Sequence, residues 1–258
     1  MIKFFNTRDS NESVENRGDA ITALNFNKSV IVAAHPDDEI LWFSSILDKV
    51  DKIVLCYHGN SLNTAMSEGR DRLLLQYPFK NLISLNVEES NVYKEKHYKF
   101  PMETRQGMLV FHPLKYSAYQ KNFAFLEKKL ETILPQYQTV FTHNPWGEYG
   151  HEEHVQVYRV LKKLQTQYGF DLFFNNYLSR KSFSLGKKYL FKYHFPWFTR
   201  PVNKDLYDQL KTLYVKNKCW TWPEGWRCFT DEAFLEDRIK KKYLGKYDHL
   251  PPLNIIRH

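Results

Sequence analysis

The stretch Val30-Ile31-Val32-Ala33-Ala34-His35-Pro36-Asp37-Asp38-Glu39 decides the reading of this chain. Five small or β-branched apolar residues in a row predict a strand buried on both faces, and Pro36 prevents simple continuation of its ladder. Beyond the acids, Ile40, Phe43 and Leu47, with Trp42 and Ile46 beside them, recur at helical spacing. The acids therefore belong to a strand-to-helix turn and the first helical turn. In an open α/β sheet that is where ligands bind.

The 258 residues are 43% apolar and 16% aromatic, enough for one sizeable core without disulfides. A single α/β domain over residues 1–258 is expected, with an irregular polar arm over 1–20 and a variable carboxyl-terminal extension from about 178. No run of about 18 apolar residues occurs and the first residues lack a signal-peptide core, so a soluble, cytoplasmic protein is expected. The three cysteines, Cys56, Cys219 and Cys228, form no close pair of the zinc-knuckle kind. The net charge of +8 is spread over scattered lysines, which reads as a solvated basic surface; transient contact with an anionic membrane surface is compatible with it, and no nucleic acid is expected.

After the first strand and helix, residues 52–58 predict a second strand, 64–77 a helix and 82–87 a third strand, joined by right-handed crossovers. The pattern predicts a doubly wound, mostly parallel sheet with helices on both faces. Residues 88–119 are irregular and are expected to contact substrate. A helix over about 117–134, a strand over 139–142 and a strand over 171–177 follow. Residues 188–195 alternate less cleanly, helices are predicted near 203–216 and 231–244, and Pro251 onward reads as a tail.

The second informative stretch is His143-Asn144-Pro145-Trp146-Gly147-Glu148-Tyr149-Gly150-His151-Glu152-Glu153-His154. His151, His154, Tyr158, Leu161 and Gln165 share one helix face, so both histidines of the pair point the same way. A hydrolytic zinc site needs about three His or carboxylate ligands, an open position for water and a nearby carboxylate to take a proton. His35 with Asp38 and His151 with His154 provide such pairs at the ends of two strands, and one of the two adjacent acids, Asp37 or Asp38, is left over as a general base. His58 and His143 also end strands and are spare candidates. His97, His112, His194, His249 and His258 have no partner at useful spacing and are expected to be structural or exposed.

Ala34-His35-Pro36-Asp37-Asp38-Glu39, followed more than a hundred residues on by Gly147-Glu148-Tyr149-Gly150-His151-Glu152-Glu153-His154, resembles the paired signature of the LmbE-like, or PIG-L, family of zinc-dependent N-acetylglucosaminyl deacetylases. The resemblance covers about residues 28–177 in order of elements. It implies a Rossmann-like sheet with the metal at the carboxyl ends of its strands. It further implies that His35, Asp38 and His154 bind about one zinc per chain and that Asp37 is the general base. His151 would face the reacting carbonyl, stabilising the oxyanion or protonating the leaving amine, and Tyr149 would contribute to the oxyanion site. Glu39 would support the turn. Two positions depart from the family pattern. Glu153 stands where the family usually has Asp, and the sugar-contacting arginine matches Arg70 or Arg72 without choosing between them; Arg70 is preferred.

The expected function is hydrolytic N-deacetylation of an N-acetylglucosamine-type conjugate, a small-molecule or lipid-linked sugar. The alternatives are a metal-dependent amide or ester hydrolase of another substrate, or a non-catalytic glycan- or nucleic-acid-binding protein of the same fold. The segments 88–119 and 178–230 are expected to set specificity.

Overall fold

The structure, a computed structural model, describes residues 24, 26–93, 96–237, 241–242 and 250–257. The polar arm, His249 and His258 lie outside the described residues. In chain order the first half consists of β1 (Ser29–Ala33), α1 (Asp38–Trp42), β2 (Lys52–Gly59), α2 (Thr64–Gln76), β3 (Leu82–Glu88), the short hairpin β4 (Glu103–Thr104) and β5 (Gly107–Met108), α3 (Pro113–Glu131), β6 (Thr139–Thr142) and α4 (Glu152–Tyr168). The second half consists of β7 (Asp171–Asn175), β8 (Tyr177–Ser179), α5 (Phe183–Leu190), β9 (Tyr193–His194), β10 (Trp197–Pro201), α6 (Lys204–Lys216), β11 (Asp231–Glu236), β12 (Lys241–Lys242) and β13 (Asn254–Ile256).

The central sheet has seven strands in the order β10-β11-β7-β6-β1-β2-β3. β3, β2, β1, β6 and β7 are parallel, and β11 and β10 add an antiparallel edge. β1 is fully buried, and its side chains alternate between two cores. Val30 and Val32 join the layer formed with α3 and α4, whereas Ile31 and Ala33 join the layer formed with α1 and α6. Coverage on both faces explains the uninterrupted apolar run. The direction of winding reverses between β1 and β6, so the crevice at their carboxyl ends is the topological switch point.

Several expectations are corrected. The predicted helix over 231–244 begins instead as a strand, because β11 lies between β7 and β10 with Phe234 and Leu235 both buried. Its glutamates suggest a helix, yet Glu232 is buried and satisfied by Ser44, Ser45 and Tyr177. The supposed tail is tied down: β13 pairs with β8, which separates from β7 at Asn176 rather than continuing one strand to 177. Residues 188–190 close α5, and only 193–194 are extended. The helix predicted from 117 starts at Pro113, where His112 caps it, and ends at Glu131. The first helix is one short turn, and Phe43, Ile46 and Leu47 continue as buried turns. No helix among the described residues is long and apolar enough to cross a membrane.

Candidate metal centre and active site

β1 delivers His35 and Asp38, and β6 with the start of α4 delivers His143, His151 and His154, all to one crevice. The His35 Nδ1 lies 3.1 Å from Asp38 Oδ2, and the His154 Nε2 lies 3.2 Å from the same oxygen. Ring nitrogens of His35, His151 and His154 fall within 4.8 Å of one another, as do the donor atoms of Asp38, His143 and His154. The predicted ligands His35, Asp38 and His154 are thus together and buried.

The two other imidazoles are occupied differently. His143 Nε2 accepts the Ala34 N–H at 2.8 Å and its Nδ1 is 3.2 Å from Glu148 Oε1, so its lone pair ties β6 to β1. His151 is the N-cap of α4, and its Nδ1 accepts the Glu153 N–H at 3.3 Å. That bond leaves the proton of a neutral ring on Nε2. Burial and the neighbouring His154 and His35 hold His151 well below the ordinary histidine range, so it is a neutral hydrogen-bond donor. His58 reaches Asp71 at 2.8 Å rather than the cluster. His97 is buried against Glu152 at 2.9 Å, where spacing suggested no partner.

Glu148 is the site residue that the spacing argument missed. Its Oε2 lies 2.6 Å from His154 Nδ1, and its backbone takes a positive φ of 44°. Asn144 and Asn175 also donate to its carboxylate, and burial is outweighed by His143 and His154, which bring it down to about 2. The signal available in the sequence was only a glutamate six residues before a histidine. Gly147 makes the turn possible: at φ 68° a Cβ there would come within 2.5 Å of the His151 carbonyl.

The donor set fits a divalent metal. His154 Nε2 is buried and makes no hydrogen bond although it faces Asp38, while Glu148 holds the opposite nitrogen and thereby fixes the ring. Burial opposes a charge on His35 and His154, but the bonds from Asp38 and Glu153 lift His35 to about 10, and Asp38 and Glu148 lift His154 to about 9. These protons answer the same negative field that a cation neutralises, and metal binding would release them. Glu153, where the family usually has the shorter acid, spans His35 Nε2 at 2.8 Å and the Ser90 N–H and hydroxyl at 2.6 Å each. The longer side chain reaches from α4 to the segment after β3.

Asp37 points elsewhere. It lines a cavity of about 560 Å³ together with His35, Asp38, Arg70, Tyr149 and His151. Burial and the adjacent Asp38 push its carboxyl up to about 8, with Thr221 and Arg70 pulling the other way. Arg70 is buried, its Nη1 donating to the His58 carbonyl at 2.8 Å and to Glu89 at 2.5 Å, whereas Arg72 sits on the outer face near Glu68. Tyr149 packs edge-on against His154 and Trp222. The irregular segment after β3 supplies Glu89, Asn91 and Tyr93 to the cavity and the first turn of α3 supplies Lys115, and Tyr93 stacks on His151 with ring centroids 4.5 Å apart.

A Rossmann-like sheet with a buried imidazole–carboxylate cluster at its switch point defines the class of this protein. The family described as PIG-L, GlcNAc-PI de-N-acetylase, matches residues 30–164, just over half of the chain, and the chain belongs to that family. No curated protein matches the sequence. A solved deacetylase–teicoplanin complex from teicoplanin biosynthesis is similar at 10% identity, with a TM-score of 0.51 over 83% of this chain and 99% of that one. A zinc-inhibited form of teicoplanin deacetylase is similar at 11% identity, with a TM-score of 0.53 over 81% and 97% of the two chains. A deacetylase–bog complex from the same pathway shows 10% identity and a TM-score of 0.50 over 81% and 96%. These likenesses are of fold, and they extend beyond the residues that match the family.

Proposed function

We propose that this chain is a zinc-dependent N-deacetylase that hydrolyses the acetamide of an N-acetylglucosamine-type conjugate, small or lipid-linked, to acetate and a free amino sugar. The observation that carries the reading is the division of labour between adjacent acids. Asp38 is drawn into the imidazole cluster, while Asp37 faces the cavity beside it. Family membership supports the choice of bond and of acyl donor.

His35, Asp38 and His154 would hold the zinc, which when bound supplies a Lewis acid that polarises the amide carbonyl and acidifies water. The Asp37 carboxylate takes the proton of the attacking water, and that proton passes to the departing amine nitrogen as the C–N bond breaks. The Nε2–H of His151 donates to the oxygen on which negative charge develops, and Tyr149 lines the same cavity with its ring 5.7 Å from that of His151. Glu148 keeps the His154 ring in one tautomer throughout. Arg70, fixed on Glu89, offers its remaining donors to the sugar, and Tyr93, Tyr149 and Trp222 supply aromatic walls.

The test is acetate release from a panel of N-acetylglucosamine conjugates. Chelator-sensitive release that Asp37→Asn abolishes supports the reading. Release only from non-sugar amides or esters would replace the substrate class, and failure of every acyl donor would leave a binding protein of the same fold.

A further inference from the structure

We propose that Thr221, in the segment between α6 and β11, is a positioning residue that aims the Asp37 carboxylate, so that the carboxyl-terminal part of the chain completes the active site. The inference rests on the deacetylase reading for what Asp37 does; the contacts stand without it. Thr221 lies well outside the residues 30–164 that match the family.

Asp37 adopts φ 104° and ψ −22°, a left-handed backbone that costs a non-glycine residue about 1–3 kcal/mol. Its surroundings over-determine it. The Asp37 N–H donates to Glu39 Oε2 at 3.0 Å and to the Tyr214 hydroxyl at 2.9 Å. Tyr214 in turn donates to Glu39 Oε1, as does Tyr77 at 2.8 Å. These bonds fix the backbone, not the carboxylate. Among the described residues, one holds the carboxylate: Thr221 gives Asp37 Oδ2 both its N–H, at 3.2 Å, and its hydroxyl, at 2.5 Å. Oδ1 has no hydrogen-bond partner among the described residues, and both Asp37 and Thr221 line the cavity.

The segment that carries Thr221 is itself braced. The Cys219 N–H donates to the Tyr214 carbonyl at 3.2 Å at the end of α6. Lys211 Nζ donates to the carbonyls of Glu224 and Trp226 at 2.7 Å each, and Trp222 packs against Trp42 and Tyr149. A hydroxyl on a braced segment can select one rotamer of a carboxylate. Removing it frees the Asp37 carboxylate to leave that rotamer. Occupying Oδ2 from Thr221 presents Oδ1 to the cavity, which is the oxygen that would take a proton from water.

Thr221→Val removes the hydroxyl and keeps volume and N–H; Thr221→Ser keeps the hydroxyl. In the protein loaded with zinc, Thr221→Val should lower kcat for acetate release roughly 10–100-fold, as misplaced catalytic groups do. KM, zinc content and Tm should stay unchanged, and Thr221→Ser should recover most of the rate. Unchanged kcat in Thr221→Val, or an equal loss in Thr221→Ser, overturns the proposal; so does a loss shared by KM and Tm, which marks a merely structural role. Crystal structures of both variants read the same point without turnover. Asp37 rotated away in Thr221→Val and restored in Thr221→Ser supports the proposal, whereas an unmoved carboxylate in Thr221→Val overturns it. If the unaltered protein releases no acetate, the deacetylase reading fails and the crystallographic comparison still decides the positioning role.

Discussion

Glu148 Oε2 lies 2.6 Å from His154 Nδ1, deep in the protein, with its second oxygen shared among His143, the Asn144 N–H and Asn175. The bond sets which His154 nitrogen carries the proton, and so leaves Nε2 to face Asp38. Partners of this kind typically contribute about 10–100-fold to metal affinity. Glu148→Gln should therefore weaken zinc binding by about that factor in a competition titration against a chelator; unchanged affinity would show that His154 needs no orienting group.

His151 should act as a donor and not as a ligand, because its Nδ1 is committed to the Glu153 N–H. His151→Ala should lower kcat about 10²–10³-fold, the usual cost of one oxyanion donor, and leave zinc content unchanged. Loss of zinc in this variant, read by elemental analysis, would move His151 into the ligand set.

Glu232 joins β11, the strand next to the sheet edge, to the turns after α1, accepting the Ser44 and Ser45 N–H groups at 3.2 and 2.9 Å. Glu232→Ala leaves both buried N–H groups unsatisfied, at about 1–3 kcal/mol each, and should lower the stability measured by urea unfolding. The pH dependence has a defined sign. Burial raises Glu232 above its ordinary 4.5 in the folded protein, so folding binds a proton there and its contribution falls as pH rises from 4.5 through the folded value. The variant should lose that part of the decline above pH 4.5, and an unaltered slope would contradict the assignment.

The final segment should matter for stability. Ile256 is 2% exposed in the core beside α1 and α6, on a strand paired with β8. Ile256→Ala should cost about 2–5 kcal/mol, as apolar truncations in cores do. A Tm within a degree of the unaltered protein would mean that this strand is only loosely attached.

The parallel half of the sheet was legible because β1 and β2 carry continuous apolar runs, and because β1 and the short β6 both run into polar, histidine-bearing stretches at the switch point. His35, Asp38 and His154 were legible because their spacing puts them at two strand ends. What the pattern hid depends on partners distant in sequence. β11 carries two glutamates in six residues, and only the turns around Ser44 and Ser45 and the Tyr177 hydroxyl make Glu232 tolerable in a strand. β13 is short and gains its order from β8. Glu148 and Thr221 reveal themselves only through what they touch, His154 and Asp37. Arg70 was preferred over Arg72 from the sequence, and the helix orientation buries the first and exposes the second.

The central claim is that adjacent acids divide the work, Asp38 with the metal and Asp37 with the water. Zinc content by elemental analysis, measured with acetate release on the unaltered protein, Asp37→Ala and Asp38→Ala, tests it most directly. The expected result is about one zinc per chain and chelator-sensitive acetate release in the unaltered protein, zinc without turnover in Asp37→Ala, and loss of both in Asp38→Ala. Equal zinc content and full activity in the two variants, or no tightly held divalent metal in the unaltered protein, would contradict it.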